Sequence, residues 1–249
     1  MVKLKFHILF LLLISTKSYG WVHISQLKPK LPAYSSNDTI YFYWDGVAPS
    51  ITGKDNIFNG DYQYAPDSEL MYQILRQAVT RWNEVEASYL NMQVEIDTDV
   101  VSDSTDSLNA IVTSSLESES IAAYALPRYL GDDNEGADKH LIHDCDITIS
   151  SGTVSANDLY YTLIHEIGHC VGLGHPHSNY GALMGYSRLS RMPSLGADDI
   201  AGISYIYPAE KLDVENFKVF CSTVSGASPY SFILFILPLF FSLCRKKED

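Results

Sequence analysis

The run His165 to His175, HEIGHCVGLGH, constrains this chain more than any other stretch of its 249 residues. It fits the pattern HExxHxxGxxH, with fixed positions at His165, Glu166, His169, Gly172 and His175. Residues four apart on an α-helix share a face, so His165 and His169 can hold one metal ion from successive turns. Glu166, beside the first of them, can reach a metal-bound water as general base. Gly172 lets the chain leave the helix in a left-handed conformation closed to most side chains. The turn then swings His175 back as a third ligand. Three imidazoles leave one position of a tetrahedral zinc open to water, as in catalytic sites and not structural ones. A bare HExxH arises in helices by chance, and two helical histidines are more often surface or core residues. The longer pattern fixes five positions, which makes coincidence a poor account.

Gly181-Ala182-Leu183-Met184 follows where the metzincin zinc peptidases place a tight turn with a methionine under the zinc. With that segment the chain resembles the matrixins, the matrix-metalloproteinase family of the metzincins, over about Thr39 to Pro208. Leu195 to Ile203, LGADDIAGI, is similar to the family's last helix, and Tyr205-Ile206-Tyr207-Pro208 to the end of its domain. Ile121 to Pro127, IAAYALP, resembles the edge strand that receives substrate. The resemblance implies an α+β metzincin fold. A five-stranded mixed twisted sheet and two helices would form an upper part, and the Met-turn and C-terminal helix a smaller lower part. It implies a zinc metalloendopeptidase with His165, His169 and His175 on one catalytic zinc and Glu166 as general base. Met184 would lie beneath the ligands without being one. Calcium is implied as a further cofactor.

The chain departs from the family's pattern in three places. It shows no PRCGxPD-type cysteine switch upstream, so control by a zinc-bound thiol is not expected. The family's structural-zinc and calcium loops are not recognisable between Ser114 and Asp144; His140, His143, Asp132, Asp133, Asp138 and Asp144 lie there in another order. Met184 is followed by Gly185-Tyr186, the Met-x-Tyr spacing of astacins and serralysins, and Pro176 is also serralysin-like. Tyr186 is therefore the expected second stabiliser of the transition-state oxyanion, with a packing tyrosine in the pocket wall as the alternative. His177 is a spare histidine near the site.

Lys+Arg 17 against Asp+Glu 30 gives a net charge of −13, which argues against nucleic acid and anionic membrane as partners. Met1 to Gly20 has an early pair of lysines, an apolar run from Phe6 to Ile14 and small residues at its end, the build of a secretory signal peptide. Residues 21–38 read as an extended lead-in with Pro29 and Pro32, 39–210 as the catalytic domain and 211–229 as a linker. Residues 230–249 carry the apolar run Ser231 to Cys244, broken by Pro238 and followed by Arg245-Lys246-Lys247. That tail reads as a membrane anchor, a cleaved sorting signal or a GPI signal. The expected setting is extracellular or on the cell surface, with membrane contact only through the tail. The expected partners are protein or peptide substrates of a monomer. Export opens Cys145 and Cys170 to a disulfide, the alternative being two buried thiols.

The remaining chain supplies the scaffold. Ile40 to Trp44, Met92 to Ile96, Ala110 to Thr113, Ile121 to Leu126 and Asp146 to Ile149 read as strands. Met71, Leu75, Ala78, Trp82 and Val85 recur at helical spacing in a segment starting at Asp67 or Ser68. Ser155 with Asp158 three residues later marks the start of the zinc helix, whose core side is Leu159, Leu163 and Ile167. Asp198 to Tyr207 reads as a last helix with Ile200 and Ile203 inward. The competing functions are a catalytically silent surface binding module on the same fold and a structural-zinc protein. The latter would need Cys170 as fourth ligand, about 100° around the helix from His169.

Overall fold

A computed structural model describes residues 20–24, 30–33, 35, 37–103, 106–116, 122–129, 141–176, 181–185 and 194–209. The signal-peptide reading of 1–19 and the linker and tail readings of 211–249 fall outside them.

Aromatic and β-branched residues build the central sheet. β1 (Ile40–Trp44) alternates, with Ile40, Phe42 and Trp44 buried. β3 (Met92–Ile96), β4 (Asn109–Ser114), β5 (Ala123–Tyr129) and β6 (Ile142–Ser150) complete five strands in the order β3-β1-β4-β6-β5, where β2 is the short strand Ser50–Thr52. The first four run parallel and β5 pairs antiparallel to β6, leaving β5 at an edge. β6 is buried almost throughout, as a central strand covered on both faces must be.

A parallel pair needs a crossover, and α1 (Asp67–Asn83) supplies the one between β1 and β3. Its stripe Leu70, Met71, Ile74, Leu75, Ala78, Val79 and Trp82 is buried. Trp82 Nε1 donates to the Ile164 carbonyl at 3.0 Å, tying α1 to α2 (Ala156–Cys170). Ser155 caps α2 by accepting the Asp158 amide at 3.1 Å, as the sequence signal requires. Between β1 and α1, residues 45–66 contain β2 and two 3-10 turns, Lys54–Asn56 and Phe58–Gly60. β2 pairs in parallel with β7 (Thr153–Ser155), just ahead of α2. Three residues are too few for a readable period.

α3 (Ala197–Ile206) corrects one expectation. Ile203 is buried, but Ile200 is 42% exposed. The inward stripe is Asp199, Gly202, Ile203 and Ile206, and Ile200 falls on its flank. Cys145 of β6 and Cys170 at the end of α2 form a disulfide with Cα atoms 5.5 Å apart, which settles the pairing and removes Cys170 as a metal ligand. The described start of the lead-in is paired with the turn after α2. Val22 O accepts from Gly174 N at 2.7 Å, and Ile24 N donates to Gly172 O at 2.9 Å. A side chain at Gly174 would collide with the His23 carbonyl, so this close pairing requires glycine there.

Candidate metal centre

α2 presents His165 and His169 one turn apart, and the helix ends directly after them. Gly172 takes φ 99°. Its amide bonds the His169 carbonyl and the Leu173 amide reaches back to the Gly168 carbonyl, both at 3.0 Å. This is the double closure of a Schellman cap, which needs a positive φ at that glycine. The reversal brings His175 to the other two. Its Nε2 lies 3.0 Å from Nε2 of His165 and 3.1 Å from Nε2 of His169.

The outer nitrogens explain why the inner ones face each other. His165 Nδ1 is 3.0 Å from the Leu183 carbonyl and His169 Nδ1 is 2.8 Å from the Leu173 carbonyl. A carbonyl only accepts, so both Nδ1 atoms carry the proton and both Nε2 atoms offer a lone pair. Burial, only partly opposed by the Leu173 bond, pushes His169 down to about 4, so its imidazole is neutral at physiological pH. Nε2 of His175 thus stands from the other two at nearly the separation of two corners of a zinc tetrahedron, ~3.3 Å for Zn–N bonds of ~2.0–2.1 Å. Among the described residues this is the group of three metal-binding side chains with all ligand atoms within 4.8 Å. The donor set fits zinc.

Glu166 is buried beside the first ligand. One carboxylate oxygen accepts the Ala125 amide of β5 at 2.8 Å, which places the carboxylate between the histidines and the sheet edge. Met184 lies below, 2% exposed, against Gly168. A Cβ on Gly168 would fall 2.9 Å from Trp82 Cζ2 and closer still to Met184 Sδ, so the helix face under the site must be bare.

A family model described as Matrixin matches residues 57–208. The chain belongs to the matrixin family. Matrixins are zinc metallopeptidases, so the three histidines stand in a family whose catalytic metal is zinc. A comparison with the curated proteins finds no match.

The structure brings together His165, His169, His175, Glu166 and Met184. Tyr186 and His177 lie outside the described residues, as do His140, Asp132, Asp133 and Asp138. Two partners of the matrixin site were not anticipated from the sequence. One is the Ala125 amide, which has no side-chain signature. The other is Asp199, whose carboxylate takes the amides of Leu183 and Gly196 at 2.7 Å each and of Met184 at 3.1 Å. Asp199 was legible only as one of an acidic pair in the family's last helix. Its pKa is raised by burial, against the pull of those three amides.

Proposed function

We propose that this chain is a secreted or cell-envelope-anchored zinc metalloendopeptidase that cleaves peptide bonds of proteins. The convergence of three imidazole Nε2 atoms beside a buried carboxylate at the edge strand of the sheet carries this reading. His165, His169 and His175 hold the metal, their orientation set by carbonyls on the outer nitrogens of the first two. Zinc, when bound, polarises the scissile carbonyl and acidifies a water. Glu166 accepts the proton of the attacking water on a carboxylate oxygen and later delivers it to the leaving amine. An extended substrate lies along β5, held by main-chain hydrogen bonds. The Tyr186 hydroxyl donates to the oxyanion. The protein works as a monomer outside the cell or on its surface. The Met1–Gly20 leader and a disulfide, which persists in oxidising compartments, support that placement.

The purified chain should cleave a fluorogenic peptide library, lose this activity to a zinc chelator and regain it with added zinc. A folded protein holding one zinc per chain that cleaves nothing would favour a silent binding module instead.

Calcium has a place in the same proposal. Asp144 and Asp146 at the start of β6 are buried at 1% and 3% exposure. Asp146 is satisfied by Ser102 Oγ and the Ala110 amide. Both Asp144 oxygens lack a hydrogen-bond partner. Burial first, then the charges of Asp146, Asp106 and Asp103, push Asp144 up to about 7. A folded pKa above the unfolded one means that Asp144 costs stability as pH rises from 3.8 toward 7, because the unfolded chain releases its proton there while the folded state still holds its own. A bound divalent cation removes that cost. Millimolar calcium should therefore raise the Tm of the zinc-loaded protein at pH 7.5, do so much less at pH 5.5, and have no such effect on Asp144→Asn. Equal shifts at both pH values, or in the variant, would place calcium elsewhere.

A further inference from the structure

The free edge of β5 carries an uneven set of backbone groups. Ser150 N donates to Ala122 O at 2.9 Å, and the register pairs Tyr124 with Thr148, Leu126 with Asp146 and Arg128 with Asp144. In an antiparallel pair the bonding groups alternate, so the even residues point their N–H and C=O into β6. Ala123, Ala125 and Pro127 point theirs outward. The Ala125 amide confirms the direction, since it reaches Glu166 on the side of the metal centre. The next outward position, Pro127, has no N–H to offer. Proline is tolerated in a strand where its nitrogen faces away from the neighbouring strand. Directly beyond it the pairing with β6 shifts register: Arg128 faces Asp144 and Tyr129 faces Ile142, so the extra residue, His143, lies on β6.

We infer that Pro127 is a specificity-determining residue that ends the backbone ladder available to substrate. This rests on the peptidase reading above. A peptide bound antiparallel to β5 lays the residues before its scissile bond along Pro127 and those after it along Ala123. Beside Ala123 a substrate residue can exchange both main-chain hydrogen bonds. Beside Pro127 it can donate to the carbonyl but finds no donor for its own. Recognition is therefore lopsided. The segment after the scissile bond is read along the strand, and the segment before it is held over a short reach only.

The test is a series of fluorogenic peptides shortened on one flank at a time, assayed with the wild-type chain and with Pro127→Ala. Trimming the flank before the scissile bond from four residues to one should cost wild-type kcat/KM about fivefold, the worth of the one net hydrogen bond to the Pro127 carbonyl. The same trimming after it should cost about 25-fold, the worth of the two beside Ala123, and Pro127→Ala should raise the first cost to about 25-fold. Equal dependence on both flanks in the wild type overturns the inference, and that series decides the matter even if the variant fails to fold. So does a folded Pro127→Ala enzyme with an unchanged flank profile. A wild-type chain that cleaves none of the peptides with zinc bound overturns the peptidase reading, and this inference with it.

Discussion

Glu166→Gln is expected to lower kcat by about a thousandfold while the protein keeps its zinc, within the range for a lost general base. The glutamine amide oxygen can still accept the Ala125 amide, so the β5 edge stays docked on α2. What disappears is the group that takes a proton from water. The three imidazoles are untouched, and the outer nitrogens of His165 and His169 remain on the Leu183 and Leu173 carbonyls. The measurement is kcat on the best peptide of the library, beside zinc content per chain by elemental analysis. Activity within about tenfold of wild type with zinc bound would remove Glu166 from the role of base. A variant that lost its zinc would show instead that the carboxylate helps hold the metal site together. Glu166→Ala separates the two duties, because it removes both the base and the acceptor for Ala125.

The parts of this molecule that were legible in the sequence are those whose physics is local. The ligand spacing on α2, the glycine at its end and the Ser155 cap each depend on residues within a few positions. All are found where the pattern puts them. The same holds for β1, β3 and α1, whose hydrophobic periods are long enough to read. The polar partners that complete the site are non-local. Nothing near Ala125 in sequence announces that its amide meets Glu166, 41 residues later. Ile200 illustrates the converse error. An apolar residue in a short helix is read as inward by default, yet the inward stripe of α3 begins with a charged residue, Asp199. β2 escaped notice for a third reason. Its pairing with β7 spans about a hundred residues of chain and only three residues of strand.

Asp199 is where the non-local part of the design meets the metal, and its removal should have the second large effect. The carboxylate is 2% exposed and accepts three backbone amides, from Leu183, Met184 and Gly196. The Leu183 carbonyl in turn holds His165 Nδ1. One side chain on α3 thus fixes the peptide that orients the first ligand and the turn that carries Met184. Burial raises its pKa, so the charge by itself is a cost in the folded state, and the worth of Asp199 lies in saturating those amides. Asp199→Ala relieves the buried charge but leaves three amides without an acceptor, each worth ~1–3 kcal/mol when orphaned. The expected net loss is about 3 kcal/mol of stability, read by chemical denaturation of the zinc-free chain. Zinc affinity should fall by about 10- to 100-fold, the usual result of losing a group that orients a metal-bound histidine. Asp199→Asn keeps one acceptor oxygen, turns an N–H toward the amides, and should fall between the two. A fully stable Asp199→Ala protein with unchanged zinc affinity would mean that the turn holds its shape without this carboxylate. The link from the last helix to His165 would then be incidental.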